Sequence, residues 1–477
     1  MNLTLTLQDY LALSPFLIIT SFALLILLLE SFANHLARRF SIYLACFSIA
    51  LAFVATAMTY SSTHPLLTPW IRFDALKTTF NALFLGVGFV SCLLGKVFLD
   101  KEVHSKAISA GEYYFLLLSS LFGLMLIGAS NDFLTLFIGI ETLSIPLYIL
   151  AVYIKRVKVS GEAALKYFLM GGLAAAFLVY GVAFVYGAVG TTNFQSLSTA
   201  YGAMKENGGN GAYFFSGLAM IMGALAFKAA LVPFHNWAPD VYQGAPTPVV
   251  AFMAVGTKLG AMAAFAIVFL IAMPNIDNKV SFCMAALAAI TLVYANFVAT
   301  RQTQLRRFFA YSGMSHAAFM LIAILTGSSE AISALVLYFI VYALATMGAF
   351  AVLATLGEDD EELSFEAVRG LFSKSPFLAL AFSLCLLTLA GIPPTAGFLA
   401  KFYVLKLAYY AGYQWLVALA LLTAVLAAFY YLRLMAIMFT VDALPRRQSP
   451  KVSRPAFCVA AIAGLALIYV SLFPFLG

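Results

Sequence analysis

Glu141, Lys166, Lys228, Lys258 and Lys401 stand inside stretches that are otherwise apolar. A charge at a bilayer centre costs ~2.5–3.5 kcal/mol on insertion scales, so each must face another polar group, a cavity or water. A lysine near a helix end can instead run its stem out to the interface. That reading fits Lys406 and competes for Lys166. It fails for Glu141, whose short side chain cannot reach a surface from mid-helix. The chemistry this set could do is proton transfer. Burial disfavours an ammonium and a nearby carboxylate favours it, so moving or neutralising the carboxylate switches a lysine between holding and releasing its proton. A row of such lysines bridged by water is a relay that needs no cofactor. A single Na⁺ site would favour clustered carboxylates and carbonyls, whereas only one acidic residue lies deep. His235 and His316 lie in or beside apolar segments, and an imidazole can pass a proton through either ring nitrogen near neutral pH. A structural role competes for both. His316, in Tyr311-Ser-Gly-Met-Ser315-His316, falls where a relay would need a link between Lys258 and Lys401. Asp132 and Arg433, near segment ends, are expected to anchor or pair locally.

Two of these lysines adjoin helix breakers. Lys228 is followed by Ala-Ala-Leu-Val-Pro233-Phe-His235, and Lys401 is preceded by Gly391-Ile-Pro393-Pro394-Thr-Ala-Gly397. Proline removes a backbone donor and clashes with the preceding turn. In lipid, freed backbone groups are tolerated only where protein or a wet cavity satisfies them. Each break therefore puts unwound backbone beside an ionisable lysine. A lone proline would read as a simple kink. Paired breaks in the two halves of a chain point to an inverted repeat.

The elements that position these residues are membrane helices. The chain has 477 residues, 63% hydrophobic and 10% charged, with a mean hydropathy of +0.98. Soluble domains carry about 25% charged residues, so a soluble globule or a disordered chain is excluded. A spanning helix needs ~20 mostly apolar residues. On that measure the sequence predicts an all-α polytopic membrane protein with about fourteen spans. They fall near 12–32, 40–60, 74–97, 113–130, 132–153, 161–187, 212–239, 246–272, 280–300, 304–326, 330–355, 376–408, 413–440 and 455–475. The first carries Asp9 and no basic flank, and reads as a retained helix rather than a cleaved signal. The two breaks are separated by five spans, and an odd number per repeat forces opposite orientations. The expected organisation is three peripheral spans (1–110), a first inverted repeat (111–275), a second (276–440) and a final span (441–477).

Charge gives the orientation. With the N-terminus outside, the inner connections hold 17 Lys and Arg, among them Arg38, Arg39, Lys101, Lys106, Lys155, Arg156, Arg306, Arg307, Arg446, Arg447 and Lys451; the outer set holds 4, namely Arg72, Lys77, Lys205 and Lys279. The positive-inside rule then places both termini outside. The net charge of +7 is scattered, with no basic block of the kind that tracks nucleic acid. The acidic run Glu358–Glu362 with Glu366 reads as a solvated connector, with a docking surface as the competing reading. The Gly- and Asn-rich stretch 188–211 reads as an outer loop. Five widely spaced Cys, with no CxxC, give no metal or redox-dithiol site and read as small apolar helix residues. P-loop, dinucleotide, serine-nucleophile and zinc motifs are absent, so any driving energy comes from an ion gradient or a partner.

Phe137-Ile-Gly-Ile-Glu141-Thr-Leu-Ser144-Ile-Pro146-Leu-Tyr148 resembles a helix motif of the antiporter-like subunits of respiratory complex I, the NADH–quinone oxidoreductase. The runs Phe227–Pro248 and Ala390–Tyr403 resemble the same family. The segment Asp240-Val-Tyr242-Gln-Gly244-Ala-Pro246 is similar to its N-type branch rather than the L and M types. The resemblance covers nearly the whole chain. It implies fourteen helices with two inverted five-helix repeats and broken helices 7 and 12. It implies a Glu141–Lys228 charge pair, and a hydrated axis from Lys258 through His316 to Lys401, with Lys166 matching a family lysine. It implies proton translocation in a bacterial plasma membrane, driven by NADH oxidation and quinone reduction elsewhere. FMN, iron–sulfur clusters and quinone would belong to partner subunits, and this chain would hold no cofactor and no metal. The implied partners are neighbouring antiporter-like and small membrane subunits, and the lateral helix of the L-type subunit; nucleic acid is not among them. The competing readings are a multisubunit Na⁺/H⁺ antiporter, an M- or L-type sister, and a membrane scaffold with no transport role.

Overall fold

The computed structural model describes residues 6–59, 67–102, 108–153, 158–208, 211–273, 277–356, 363–440 and 453–473. Lys106, Lys155, Arg156, Arg446, Arg447 and Lys451, together with the acidic run 358–362, lie outside the described residues. The chain is a helical bundle, and the described residues hold only three isolated β-bridges. The long helices are α1 (Leu7–Phe32), α2 (Asn34–Met58), α3 (Ala75–Glu102), α4 (Ala110–Ala129), α5 (Phe133–Ala151) and α6 (Lys158–Val189). A short α7 (Phe194–Glu206) follows, and then α8 (Gly211–Ala229), α9 (Trp237–Gly244), α10 (Thr247–Ala272), α11 (Asn278–Ala299), α12 (Leu305–Leu325) and α13 (Ala331–Leu356). After a single helical turn, α14 (Leu371–Lys374), come α15 (Pro376–Ala390), α16 (Ala396–Tyr410), α17 (Gln414–Phe439) and α18 (Arg454–Leu472).

Thirteen of these are long and apolar enough to cross a membrane, and α15 is a shorter apolar helix. With α16 beyond its break, α15 completes a further span. The protein is therefore a multi-pass membrane protein, and the bounds follow the apolar runs to within a few residues. The stretch 188–211 departs from the loop reading. Asn193 caps α7 there, accepting from the Gln195 amide at 2.9 Å. Phe194, Leu197, Tyr201 and Met204 fall on one face of α7, at the spacing of an amphipathic helix.

Burial is graded from the rim inward. The faces of α1, α6, α17 and α18 are widely exposed, whereas α12 is buried along its whole apolar window and α10 almost so. Lipid tails are as apolar as leucine, so helices in a bilayer associate by close packing and polar contacts. Gly123 of α4 and Gly139 of α5 face each other's backbones, and neither position leaves room for a side chain.

Polar locks tie the connections. Asp132 caps α5 through the Leu134 amide at 2.7 Å and accepts from Thr192 at 2.5 Å. Arg433 of α17 donates to the carbonyls of Thr300 and Gln302 at 2.7 and 2.6 Å. Both therefore anchor locally. Lys77, counted above among the outer-loop charges, is buried in the first turn of α3. Its ammonium donates to the Ser130 carbonyl at 2.6 Å and to Asn131 at 3.3 Å, closing the end of α4. Glu366 pairs through both oxygens with Arg369.

Candidate functional site: a buried row of lysines on two broken helices

Lys228 is the penultimate residue of α8. The chain then leaves the helix at Ala230, whose φ is +58°, and re-enters at Trp237. The released backbone is satisfied from outside the helix. The Val232 amide donates to Thr291 of α11 at 2.9 Å, and the Trp237 indole donates to the Phe227 carbonyl at 2.9 Å. This is the condition under which irregular backbone survives at membrane depth. Lys228 itself is 6% exposed, and its ammonium donates to the Ser144 hydroxyl at 2.6 Å, with the Tyr148 hydroxyl at 3.4 Å.

Glu141, Ser144 and Tyr148 are spaced i, i+3, i+7 and share one face of α5. The expected Glu141–Lys228 ion pair is not formed: among the described residues no such bond joins them, and the ammonium sits on Ser144 one turn away. The Glu141 Oε1 atom is buried and has no protein hydrogen-bond partner. An oxygen in that state is costly unless protonated or reached by water.

The second break inverts this arrangement. Gly391 ends α15 with φ +77°, the left-handed cap that glycine adopts without strain. Lys401, eleven residues after Ala390 and on the other half-helix, reaches back to the freed carbonyls of Leu389 and Ala390 at 2.9 and 2.8 Å. A cation at a helix C-terminus meets both unsatisfied carbonyls and the negative end of the helix dipole. Pro233 stands in the first break and Pro393 and Pro394 in the second, as expected.

Lys258 lies deep in α10, 1% exposed, and donates to the Tyr242 hydroxyl at 2.7 Å. Its side chain packs on Gly313 of α12, where a Cβ would come within 2.9 Å of Lys258 Cε. One turn further along α12 is His316. Its Nδ1 is 2.9 Å from the Tyr338 hydroxyl and its Nε2 is 3.4 Å from the Tyr431 hydroxyl. The next turn carries Phe319, with the Lys401 ammonium 5.3 Å from its ring centroid. Lys258, His316 and Lys401 are thus brought together by positions 313, 316 and 319 of one buried helix. Between Lys228 and Lys258 runs an aromatic seam. The ring centroids of Tyr148–Tyr167 and Tyr167–Trp237 are each 4.6 Å apart, and those of Trp237–Tyr242 6.5 Å.

A profile described as "NADH:quinone oxidoreductase/Mrp antiporter, TM" matches residues 130–427. The chain is 50% identical over 475 residues to NADH-quinone oxidoreductase subunit N of Protochlamydia amoebophila, covering 99% of this chain and 98% of that one. The chain belongs to this family. The subunit of the same name from Chloroflexus aggregans is 36% identical, over 99% of this chain and 96% of the other. A chain in the structure of respiratory complex I from Thermus thermophilus with bound aureothin superposes with a TM-score of 0.81 at 33% identity, covering 97% and 98% of the two.

Family membership extends over both breaks and every lysine of the row. Two further residues expected in a relay, Lys166 and His235, are not bonded to this row among the described residues. Lys166 is 44% exposed and pairs with Glu162 at 2.7 Å and Asp240 at 3.0 Å; Arg307 reaches the same Asp240 at 2.7 Å. This cluster ties α6, α9 and α12 together at their ends. His235 lies in the first break with its ring 4.6 Å from that of Tyr294, and its Nδ1 has no hydrogen-bond partner.

The sequence reading missed the tyrosines. Tyr338, Tyr342, Tyr430 and Tyr431 surround His316 and the adjoining Asn296 and Ser312, with Tyr430 donating to Asn296 at 3.0 Å and Ser312 bonded to Tyr431. Their signal was an i, i+4 hydroxyl pair, Tyr338 and Tyr342, in an otherwise apolar helix. No three His, Cys, Asp or Glu side chains converge on a metal-sized site among the described residues.

Proposed function

We propose that this chain is the proton-translocating membrane subunit of an NADH:quinone oxidoreductase. One observation carries the reading. Three buried lysines and a histidine are held by neutral hydroxyls and carbonyls, not neutralised by carboxylates, and three of the four line up along a helix that lipid does not reach. A lysine held that way can give up its proton and keep its place, because the same oxygens bind either form of the amine.

In this reading Glu141 sets the protonation of Lys228 from one turn away. The proton then moves through Lys258 and His316 to Lys401. Lys166 and His235 stay outside the path and hold the half-helix α9 and the break. NADH oxidation and quinone reduction take place on FMN, iron–sulfur clusters and quinone in partner subunits. The repeats are residues 111–275 and 276–440, a division supported by the two lysine-bearing breaks. The chain spans a bacterial plasma membrane with both termini outside, as the excess of Lys and Arg in the inner connections favours even with the buried Lys77 set aside. Neighbouring antiporter-like and small membrane subunits, and the L-type lateral helix, would cover exposed faces such as Leu134, Ile138, Ile145 and Ile149 of α5.

The test uses inverted membrane vesicles carrying Lys228→Ala and, separately, Glu141→Ala. NADH–quinone reductase rate and NADH-driven proton uptake are recorded side by side. With assembly intact, both are expected to fall well below wild type. Wild-type rates in both variants would sink the relay. Cation-dependent proton exchange without NADH would favour the antiporter reading instead.

A further inference from the structure

The observation lies where α10 meets α13. Residues Met253–Thr257 form a widened π-type turn immediately before Lys258. Such turns are rare, and they free carbonyls from the regular ladder. Here two hydroxyls attend the carbonyls. Thr257 donates to the Met253 carbonyl at 2.5 Å within the turn, and Tyr342 donates across from α13 to the Ala254 carbonyl at 2.9 Å. The Tyr342 ring also lies against His316, with centroids 5.1 Å apart. Its hydroxyl and the Lys258 ammonium both come within 3.2 Å of one point, the place a Cβ on Gly313 would occupy. Tyr342 therefore touches the backbone that carries Lys258, the space into which Lys258 extends, and the next group in the row.

We infer that Tyr342 is a positioning residue for the Lys258–His316 step: its hydroxyl holds the widened turn through Ala254, and Gly313 leaves the space in which Lys258 is held against Tyr242. This rests on the relay reading above and adds to it a residue that need not itself carry charge. The titratable groups facing this point are Tyr242 from α9, Lys258 from α10, His316 from α12, Tyr338 of α13 itself and Tyr431 from α17. Lys401 lies beyond His316.

The experiment is made on the whole complex in inverted vesicles, with Tyr342→Phe, Gly313→Ala and Lys258→Ala. Tyr342→Phe removes one oxygen and keeps the ring. NADH-driven proton uptake is expected to fall roughly tenfold, the scale of one lost buried hydrogen bond. The pH profile of uptake is expected to move by about half a unit or more, which a merely loosened fold would not produce. Gly313→Ala is expected to give the same displacement with the hydroxyl still present. Wild-type uptake and an unmoved pH profile in Tyr342→Phe, beside a defective Lys258→Ala, would overturn the inference and leave the relay standing. Wild-type behaviour of Lys258→Ala would overturn both. If Tyr342→Phe does not assemble, Gly313→Ala decides, and a wild-type rate and profile there also overturns the inference.

Discussion

The ammonium of Lys228 donates to the hydroxyl of Ser144 at 2.6 Å, and that hydroxyl donates in turn to the Ile140 carbonyl at 2.5 Å. With its proton committed to the backbone, Ser144 offers Lys228 a lone pair. The serine is therefore the first partner of the lysine, and Glu141 lies one turn away on the same face of α5. A direct ion pair at this depth would hold both groups charged; a hydroxyl does not.

Ser144→Ala should therefore lower NADH-driven proton uptake roughly tenfold, as expected for a lost hydrogen bond to a charged group of about 1.5 kcal/mol. Ser144→Thr keeps the hydroxyl and should recover most of it. Equal uptake in wild type and Ser144→Ala would show that Lys228 does not depend on this bond.

Lys401 should separate assembly from transport. Lys401→Gln keeps an amide donor for the Leu389 and Ala390 carbonyls but removes the titratable amine. It is expected to assemble near wild-type level, by native gel electrophoresis of solubilised membranes, and to lose coupled proton uptake. Lys401→Ala leaves two helix-end carbonyls without their donor, at a cost of roughly 1–3 kcal/mol. It should lower the melting temperature of the complex as well. Coupled uptake by Lys401→Gln at the wild-type rate would contradict a proton-carrying role.

Asp240 lies beyond the seventh apolar stretch and gives a pH-dependent stability. Burial pushes its carboxyl up, and the bonds and charges of Lys166 and Arg307 together outweigh that, holding it below its ordinary value of 3.8. A carboxyl lowered on folding stabilises the fold above its unfolded value and loses that contribution as pH falls through the folded one. Asp240→Asn should therefore melt below wild type at pH 7, and the gap should close below about pH 3.8. Melting curves of the solubilised complex at several pH values check this, and a gap that widens in acid would refute it.

Much of this architecture was legible because lipid imposes long apolar runs and cannot hide a proline. The breaks at Pro233 and Pro393–Pro394 could be read from residue types alone. Lys258, His316 and Lys401 were legible as misfits. The link through His316 was expected from its place in the sequence and from the family resemblance, but the packing that makes it was not, because it depends on Gly313, His316 and Phe319 sharing a face of α12. The tyrosines escaped because Tyr and Phe read alike in an apolar helix until a partner for the hydroxyl is known. Lys77 was misread for a related reason: the carbonyl that accepts its hydrogen bond is that of Ser130, at the end of another helix. The stretch 188–211 was misread because its glycines and asparagines outweighed the four large apolar residues on one face of α7. Lys166 was a misfit because one of its two acids, Asp240, is distant in sequence; the other, Glu162, stands one helical turn before it and was passed over.

The two breaks also differ mechanically. Lys228 stands before its gap and is gripped by a neighbouring helix, and the bond over that gap is made by another residue, the Trp237 indole on the Phe227 carbonyl. Lys401 stands after its gap and is fastened to the carbonyls on the opposite bank. It is a staple across the hinge: α16 cannot swing away from α15 while the staple holds, and releasing it means stripping an ammonium of both its acceptors. The first joint is bridged by a neutral indole, whatever the state of its lysine, whereas the second is bridged by the lysine itself.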